Sequence, residues 1–370
     1  MLRFAVRASL PVLLALSVLV GCGAPAGGTA GADVRRAVAD WAAGGSGRPA
    51  GVPLESWAYE VTSVRVDPGG ARATAAAELR YRLAGYDTGP AAGARELSLA
   101  AEDGRWRVLA DRPAPGAPPQ LWDQGPVSVV RGDRVLVLGT RPEPELRAVA
   151  ATADGAAPAV SAAWPEGRPG RAVVLVPGSA DRMAELLGAP APAYRGTVAV
   201  TTGRVGAAPL PADRVVVNPE AYAGLAEPGR QVVLAHELTH VATRTATSAR
   251  TPQWLSEGFA DWAAYRGRAH TPAQAAPALA RAVRGGRVPD ALPADRDFTP
   301  GGDQEAVSRA YEGSWLACRL IADRWGEQAL RELYRAAARE PLPEALSRTL
   351  GTDPAALTAA WRSALRADLA

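Results

Sequence analysis

Two of the three histidines in this 370-residue chain stand four positions apart around a glutamate, in His236-Glu237-Leu238-Thr239-His240. On a helix of 3.6 residues per turn, positions 236 and 240 lie about 40° apart on one face, so two imidazoles converge on one point. Imidazole nitrogens bind divalent metals such as Zn2+ readily. Glu237, directed roughly 100° away from its neighbour, can reach a water on such a metal without ligating it, and would act as the general base. Further along, Trp254-Leu255-Ser256-Glu257-Gly258 supplies another carboxylate, and Asp261 follows one helical turn later on the same face. Both are candidates for a third ligand. His270 stands alone between Ala269 and Thr271 in a polar stretch and reads as a surface residue.

The paired segments HELTH at 236–240 and WLSEGFADW at 254–262 resemble those of the gluzincin group of zinc metallopeptidases, the peptidase MA-like enzymes. The resemblance covers residues 121–370 and is specific at these two segments. It implies a zincin-like fold, with one Zn2+ per chain held by His236, His240 and Glu257 and one position left open for water. It also implies that Asp261 accepts a hydrogen bond from the other N–H of a ligand histidine. A peptide or protein substrate follows from the same likeness. The metzincin branch is excluded, because Thr243 and Ala246 stand where that pattern needs glycine and a third histidine or aspartate. Gluzincins commonly place a tyrosine or histidine near the oxyanion of the tetrahedral intermediate. Tyr311 is the candidate here; its other reading is a core aromatic, in a stripe with Trp315, Cys318 and Ala322 at helical spacing. Zincins also hold an extended peptide on an edge strand beside the active-site helix, and the runs from Thr197 to Thr202 and from Arg214 to Val217 are both candidates for it.

The elements that would position these groups follow a readable order. Arg3 and Arg7 precede an apolar run over residues 8–20, too short to span a bilayer, so residues 1–21 read as an export signal. Its end, Leu19-Val20-Gly21-Cys22, resembles the lipobox of bacterial lipoproteins, in which the signal is cut before the cysteine and the sulfur receives a diacylglycerol. Ordinary signal cleavage or a retained hydrophobic anchor are the alternatives. With Cys22 lipidated, the protein would be held at the outer face of the cell membrane, and Cys318 would have no disulfide partner. All 41 basic residues are arginine, and the formal charge of +3 falls to +1 once Arg3 and Arg7 are removed. Nucleic-acid binding gains no support from so small a charge. Nothing in the pattern specifies an oligomeric state.

Residues 22–32 read as a flexible tether rich in Gly and Ala, and residues 33–112 as a small α+β domain. That domain begins with a helix over 33–43 bearing Val34, Val38 and Trp41, followed by strand-like runs from Trp57 to Val66, Ala71 to Leu83 and Leu97 to Leu109, the last folded at Asp103-Gly104. Helix then antiparallel strands resembles, loosely, an NTF2-like cone. Four prolines between Pro113 and Pro119 mark 113–120 as a linker. Residues 121–370 would form the catalytic domain. It opens with a hairpin around Arg131-Gly132-Asp133-Arg134, continues with a helix over 143–151 and strands at 172–176, 197–202 and 214–217, and ends in a helical subdomain. The fold class is therefore α+β. A different reading of the same chain is a binding or scaffold lipoprotein that keeps the metal site without useful catalysis, with 33–112 as its interaction module.

Overall fold

A computed structural model describes residues 28–166, 171–194, 196–203, 212–299 and 303–370. The expected signal segment and Cys22 lie outside the described residues. The chain is mixed α+β, with a four-stranded and a five-stranded sheet among the described residues.

Helix α1, Gly28–Ala43, begins five residues before the expected start and so takes in the end of the segment read as a tether. Four strands follow as an antiparallel meander: β1 Leu54–Val66, β2 Arg72–Leu83, β3 Ala91–Glu102 and β4 Arg105–Pro113. The third sequence run is thus two strands, turned at Asp103 and Gly104, whose φ values of 50° and 73° are those of a primed hairpin turn. Alternation is clean on β2, where Ala73, Ala75, Ala77, Leu79, Tyr81 and Leu83 are all buried on one face. The first three pack with Val34 and Val38 of α1, and the last three pack elsewhere.

The second sheet collects β5 Ser128–Arg131, β6 Val135–Gly139, β7 Ala172–Val176, β8 Ala199–Thr201 and β9 Val215–Val217, in the spatial order β5-β6-β7-β9-β8. Strands β6, β7 and β9 are parallel, and β5 and β8 close the two edges antiparallel. Unbroken apolar runs such as Ala172–Val176 fit a sheet covered on both faces. On one face Val135, Val137, Val174, Val176, Val215 and Val217 pack with residues of the later helices, among them Val233, Leu234 and Phe259. On the other, Leu136, Leu138 and Val173 meet Trp57, Leu79, Tyr81 and Leu83 of the first sheet. The Pro-rich segment therefore joins two sheets that share an apolar core. Burial of this kind, at about 25 cal/mol per Å2 of apolar surface, ties the two units together.

Between β6 and β7 runs α2, Glu143–Ala163, twelve residues longer than expected and continuous through Pro158. A proline inside a helix removes one backbone bond, but Val149, Ala153, Ala156, Ala157, Val160 and Ala163 prolong a buried stripe that outweighs the loss. Asp154 on this helix accepts from Asp133 N (2.8 Å) and Arg134 N (2.9 Å), so the Arg-Gly-Asp turn is pinned onto α2. Short helices α3 Ala180–Leu186 and α4 Pro219–Ala223 lead to α5 Glu227–Thr243 and α6 Gln253–Tyr265. The remainder is helical: α7 Pro272–Ala275, α8 Pro277–Arg284, α9 Gln304–Trp325, α10 Glu327–Ala337, α11 Leu342–Leu350 and α12 Pro354–Leu369. Leu357, Trp361, Leu365 and Leu369 of α12 are buried at the expected four-residue spacing.

Candidate metal centre

Helix α5 is buried on every side from Val232 to His240, which suits an element enclosed by a sheet edge and neighbouring helices. One turn apart on it, His236 and His240 set their rings nearly perpendicular, at 83° with centroids 4.7 Å apart. Their Nε2 atoms approach to 3.0 Å. Glu257, on α6, brings Oε2 to 3.3 Å from each of these nitrogens. Three donor atoms from two helices therefore meet at one point.

Helix α6 can lie this close because of Gly258. A Cβ there would stand 2.3 Å from the Ser314 carbonyl oxygen of α9 and 2.9 Å from Cys318 Sγ, so only glycine permits the approach that seats Glu257. Cys318 is a free buried thiol at this crossing, as expected of a small apolar residue. Asp261, one turn after Glu257, places Oδ1 2.8 Å from His236 Nδ1. In a ring that ligates metal, an Nδ1–H donating to that carboxylate would leave the Nε2 lone pair for the cluster. All five side chains are sealed from solvent: His236 is 0 % exposed, Glu257 1 %, and Glu237, His240 and Asp261 2 %.

The electrostatics are those of charges that need one another. Burial disfavours the imidazolium of His236, yet Asp261, Glu257 and Glu237 together hold its pKa well above the usual histidine range. Burial likewise opposes ionisation of Glu257, but His240 and His236 outweigh it and pull the carboxyl below its ordinary value. For Glu237 burial wins: its pKa is raised, although His236 and a hydroxyl from Thr201 oppose the shift. Asp261 is raised by burial too, against the pull of His236.

The set fits a zinc ion by an independent criterion. Donors about 2.0–2.2 Å from a tetrahedral zinc are separated by roughly 3.3–3.6 Å, close to the 3.0 and 3.3 Å spacings here. Glu257 Oε2, moreover, is buried, and the two ring nitrogens beside it stand at 3.3 Å, longer than a good charge-assisted hydrogen bond. A buried carboxylate oxygen in that state is costly unless something else binds it. His236, His240 and Glu257 are also the one group of metal-ligating side chains found together among the described residues.

Tyr311 of α9 sits with its ring centroid 6.4 Å from that of His236 and 5.2 Å from that of Phe298. It thus lies both against the site and within the buried stripe of Trp315, Cys318 and Ala322. His270 is exposed and remote in role, packing its ring edge-on at 6.0 Å from Tyr265. Of the two candidate edge strands, β8 is at the edge and β9 is interior. Thr201, at the end of β8, was not foreseen: its Oγ1 lies 2.6 Å from Glu237 Oε2. A threonine closing a valine-rich strand carries no local sign of such a contact.

No family model matches the chain, and no curated protein is similar to it in sequence. Among solved structures, a point mutant of an M1 zinc metallopeptidase from Deinococcus radiodurans is similar at 12 % identity, over 82 % of this chain and 94 % of that one, with a TM-score of 0.37. The M1 zinc metallopeptidase of the same organism is similar at 16 % identity, over 79 % of this chain and 60 % of that one, with a TM-score of 0.35. A two-domain M1 zinc metallopeptidase mutant bound to L-arginine gives 15 % identity, 71 % and 58 % coverage, and a TM-score of 0.36. Overlaps this slight do not establish a shared fold.

Proposed function

We propose that the chain is a zinc-dependent peptidase of the zincin type, exported and tethered by lipid at Cys22 to the outer face of the cell membrane. The observation that carries the catalytic part is the convergence of His236 Nε2, His240 Nε2 and Glu257 Oε2, each within 3.3 Å of the other two. The tether is supported by the Leu19-Val20-Gly21-Cys22 sequence. When bound, zinc supplies an acidified water and a Lewis acid for the scissile carbonyl. The protein's own groups do the rest. Asp261 holds His236 in the tautomer that offers Nε2. Glu237, adjacent to the ligands and not among them, takes the proton of the attacking water and returns it to the leaving amine. A carboxyl whose pKa burial has raised is suited to giving as well as taking that proton.

The substrate would lie extended beside β8. In the β8–β9 pairing Val198 O accepts from Asn218 N and Thr202 N donates to Arg214 O, so the even-numbered residues face β9. The backbone groups of Ala199 and Thr201 are then directed away from β9, where an added strand would pair. Tyr311, beside His236, is the candidate for binding the oxyanion.

The test uses the protein without its signal segment, loaded with zinc, on labelled casein. Hydrolysis is expected, with loss on chelation and recovery on zinc addition. Glu237→Gln should keep the zinc and lower turnover on the order of 10²–10⁴-fold. Full activity in that variant would sink the assignment of the base. Inactivity of the wild type at full zinc occupancy, against casein and diverse peptides, would favour a scaffold that keeps its metal.

A further inference from the structure

We propose that Thr201 is a positioning residue for Glu237, joining the base to the strand edge on which substrate would lie. This rests on the peptidase reading above.

The contact is short and buried. Thr201 Oγ1 stands 2.6 Å from Glu237 Oε2 and 3.1 Å from the Glu237 backbone oxygen, between residues 36 positions apart in the chain. A hydroxyl carries one proton and two lone pairs, so it serves one acceptor at a time. Toward an ionised Glu237 it donates to the carboxylate, a charge-assisted bond of the strong class. Through these two contacts Thr201 Oγ1 fixes both the side chain and the backbone of Glu237 against the strand end.

Thr201 is itself fixed. The next residue, Thr202, accepts at Oγ1 from Arg214 N (3.1 Å) and at its carbonyl from Arg244 Nη2 (3.0 Å). Arg244 directly follows α5 and also pairs with Asp213 at 2.9 Å. Arg214 in turn is gripped by both carboxylate oxygens of Asp87, in the connection between β2 and β3, at 2.6 and 2.8 Å. The strand end is thus braced from β9, from the helix that bears Glu237, and from the N-terminal unit. Its backbone faces the strand edge proposed for the substrate while its hydroxyl faces the base. A peptide pairing with Thr201 would be registered, through one residue, against the group that must activate water beside its scissile bond.

The test compares wild type, Thr201→Val and Thr201→Ser as zinc-loaded proteins on labelled casein, with zinc content, melting temperature and crystal structures. In Thr201→Val, kcat is expected to fall about 10–100-fold, the range typical of losing a group that orients a catalytic residue. KM should change less than about twofold, with zinc at one per chain and the melting temperature held near that of wild type. Thr201→Ser, which keeps the hydroxyl, should recover most of kcat. In the Thr201→Val crystal the Glu237 carboxylate should leave the position it holds in wild type. Unchanged kcat in Thr201→Val, failure of Thr201→Ser to recover activity, loss of zinc in step with kcat, or an unmoved Glu237 would each overturn the proposal. Wild-type inactivity would instead overturn the peptidase reading, and the position of Glu237 in the two crystals would still decide whether Thr201 holds it.

Discussion

The molecule buries two kinds of charged assembly, and they are built in opposite ways. Where the first sheet meets the second, Arg214 presents its fork to Asp87, whose Oδ2 also accepts from Leu83 N at 2.7 Å. Nearby, Arg95 divides its three nitrogens between Asp111 and Asp123, at 2.6–3.0 Å, while Tyr59 and Gln120 N donate to the same two carboxylates. Partners there are spread over different atoms until the charges are satisfied. At the centre on α5 and α6, three ligand atoms from His236, His240 and Glu257 crowd one point, and Glu257 Oε2 stays 3.3 Å from both ring nitrogens. The first arrangement satisfies its charges internally; the second aims three ligand atoms at one point, as a group that could hold a metal ion does.

The contrast can be broken by removing one member of each. The largest effect is expected for His240→Ala, which leaves two donors and should abolish stoichiometric zinc and with it hydrolysis, as read by metal analysis of the purified variant. Zinc retained at one per chain would mean that the ligands lie elsewhere. Arg214→Ala should do the reverse, keeping zinc while lowering stability by about 3–5 kcal/mol, because Asp87 would be left buried and unpaired. Denaturant unfolding at fixed zinc checks this, and an unchanged midpoint would show the pair to be dispensable.

A smaller loss is expected for Gly258→Ala. The added methyl meets the Ser314 carbonyl at 2.3 Å, which forces α6 and α9 apart at about 1–3 kcal/mol in unfolding free energy. If that variant were as stable as wild type, the helix crossing would be looser than described. Smallest is Asp261→Asn, which keeps shape but weakens the grip on His236 Nδ1–H. Zinc affinity should drop about 10–100-fold in competition with a chelator, and an unaltered affinity would deny Asp261 its orienting part.

How much of this was legible in the sequence depends on the range of the forces involved. His236 and His240 share a face by helical period alone, and Glu257 and Asp261 likewise, so the local halves of the site are written in their spacing. The strand at Ala172–Val176 was equally plain, since an unbroken apolar run suits a sheet covered on both sides. Long-range packing was not legible. The helix expected over 143–151 runs on to Ala163, carried by a buried stripe that the local sequence does not announce. Residues 91–96 contain no β-branched side chain, yet pairing of Ala91–Arg95 with β2 makes them strand. The prolines at 113–119 marked a boundary in the chain, while Leu79, Tyr81 and Leu83 bury themselves against Leu136 and Leu138 across it. Thr201 escaped notice for the same reason: its partner is fixed by the order of the strands, which no single segment encodes.

The most direct test of the metal centre is anomalous diffraction at the zinc edge from crystals of the zinc-loaded protein. One peak is expected per chain, about 2.0–2.2 Å from His236 Nε2, His240 Nε2 and a carboxylate oxygen of Glu257. A peak at other residues, or none at these three with zinc in excess, would contradict the assignment.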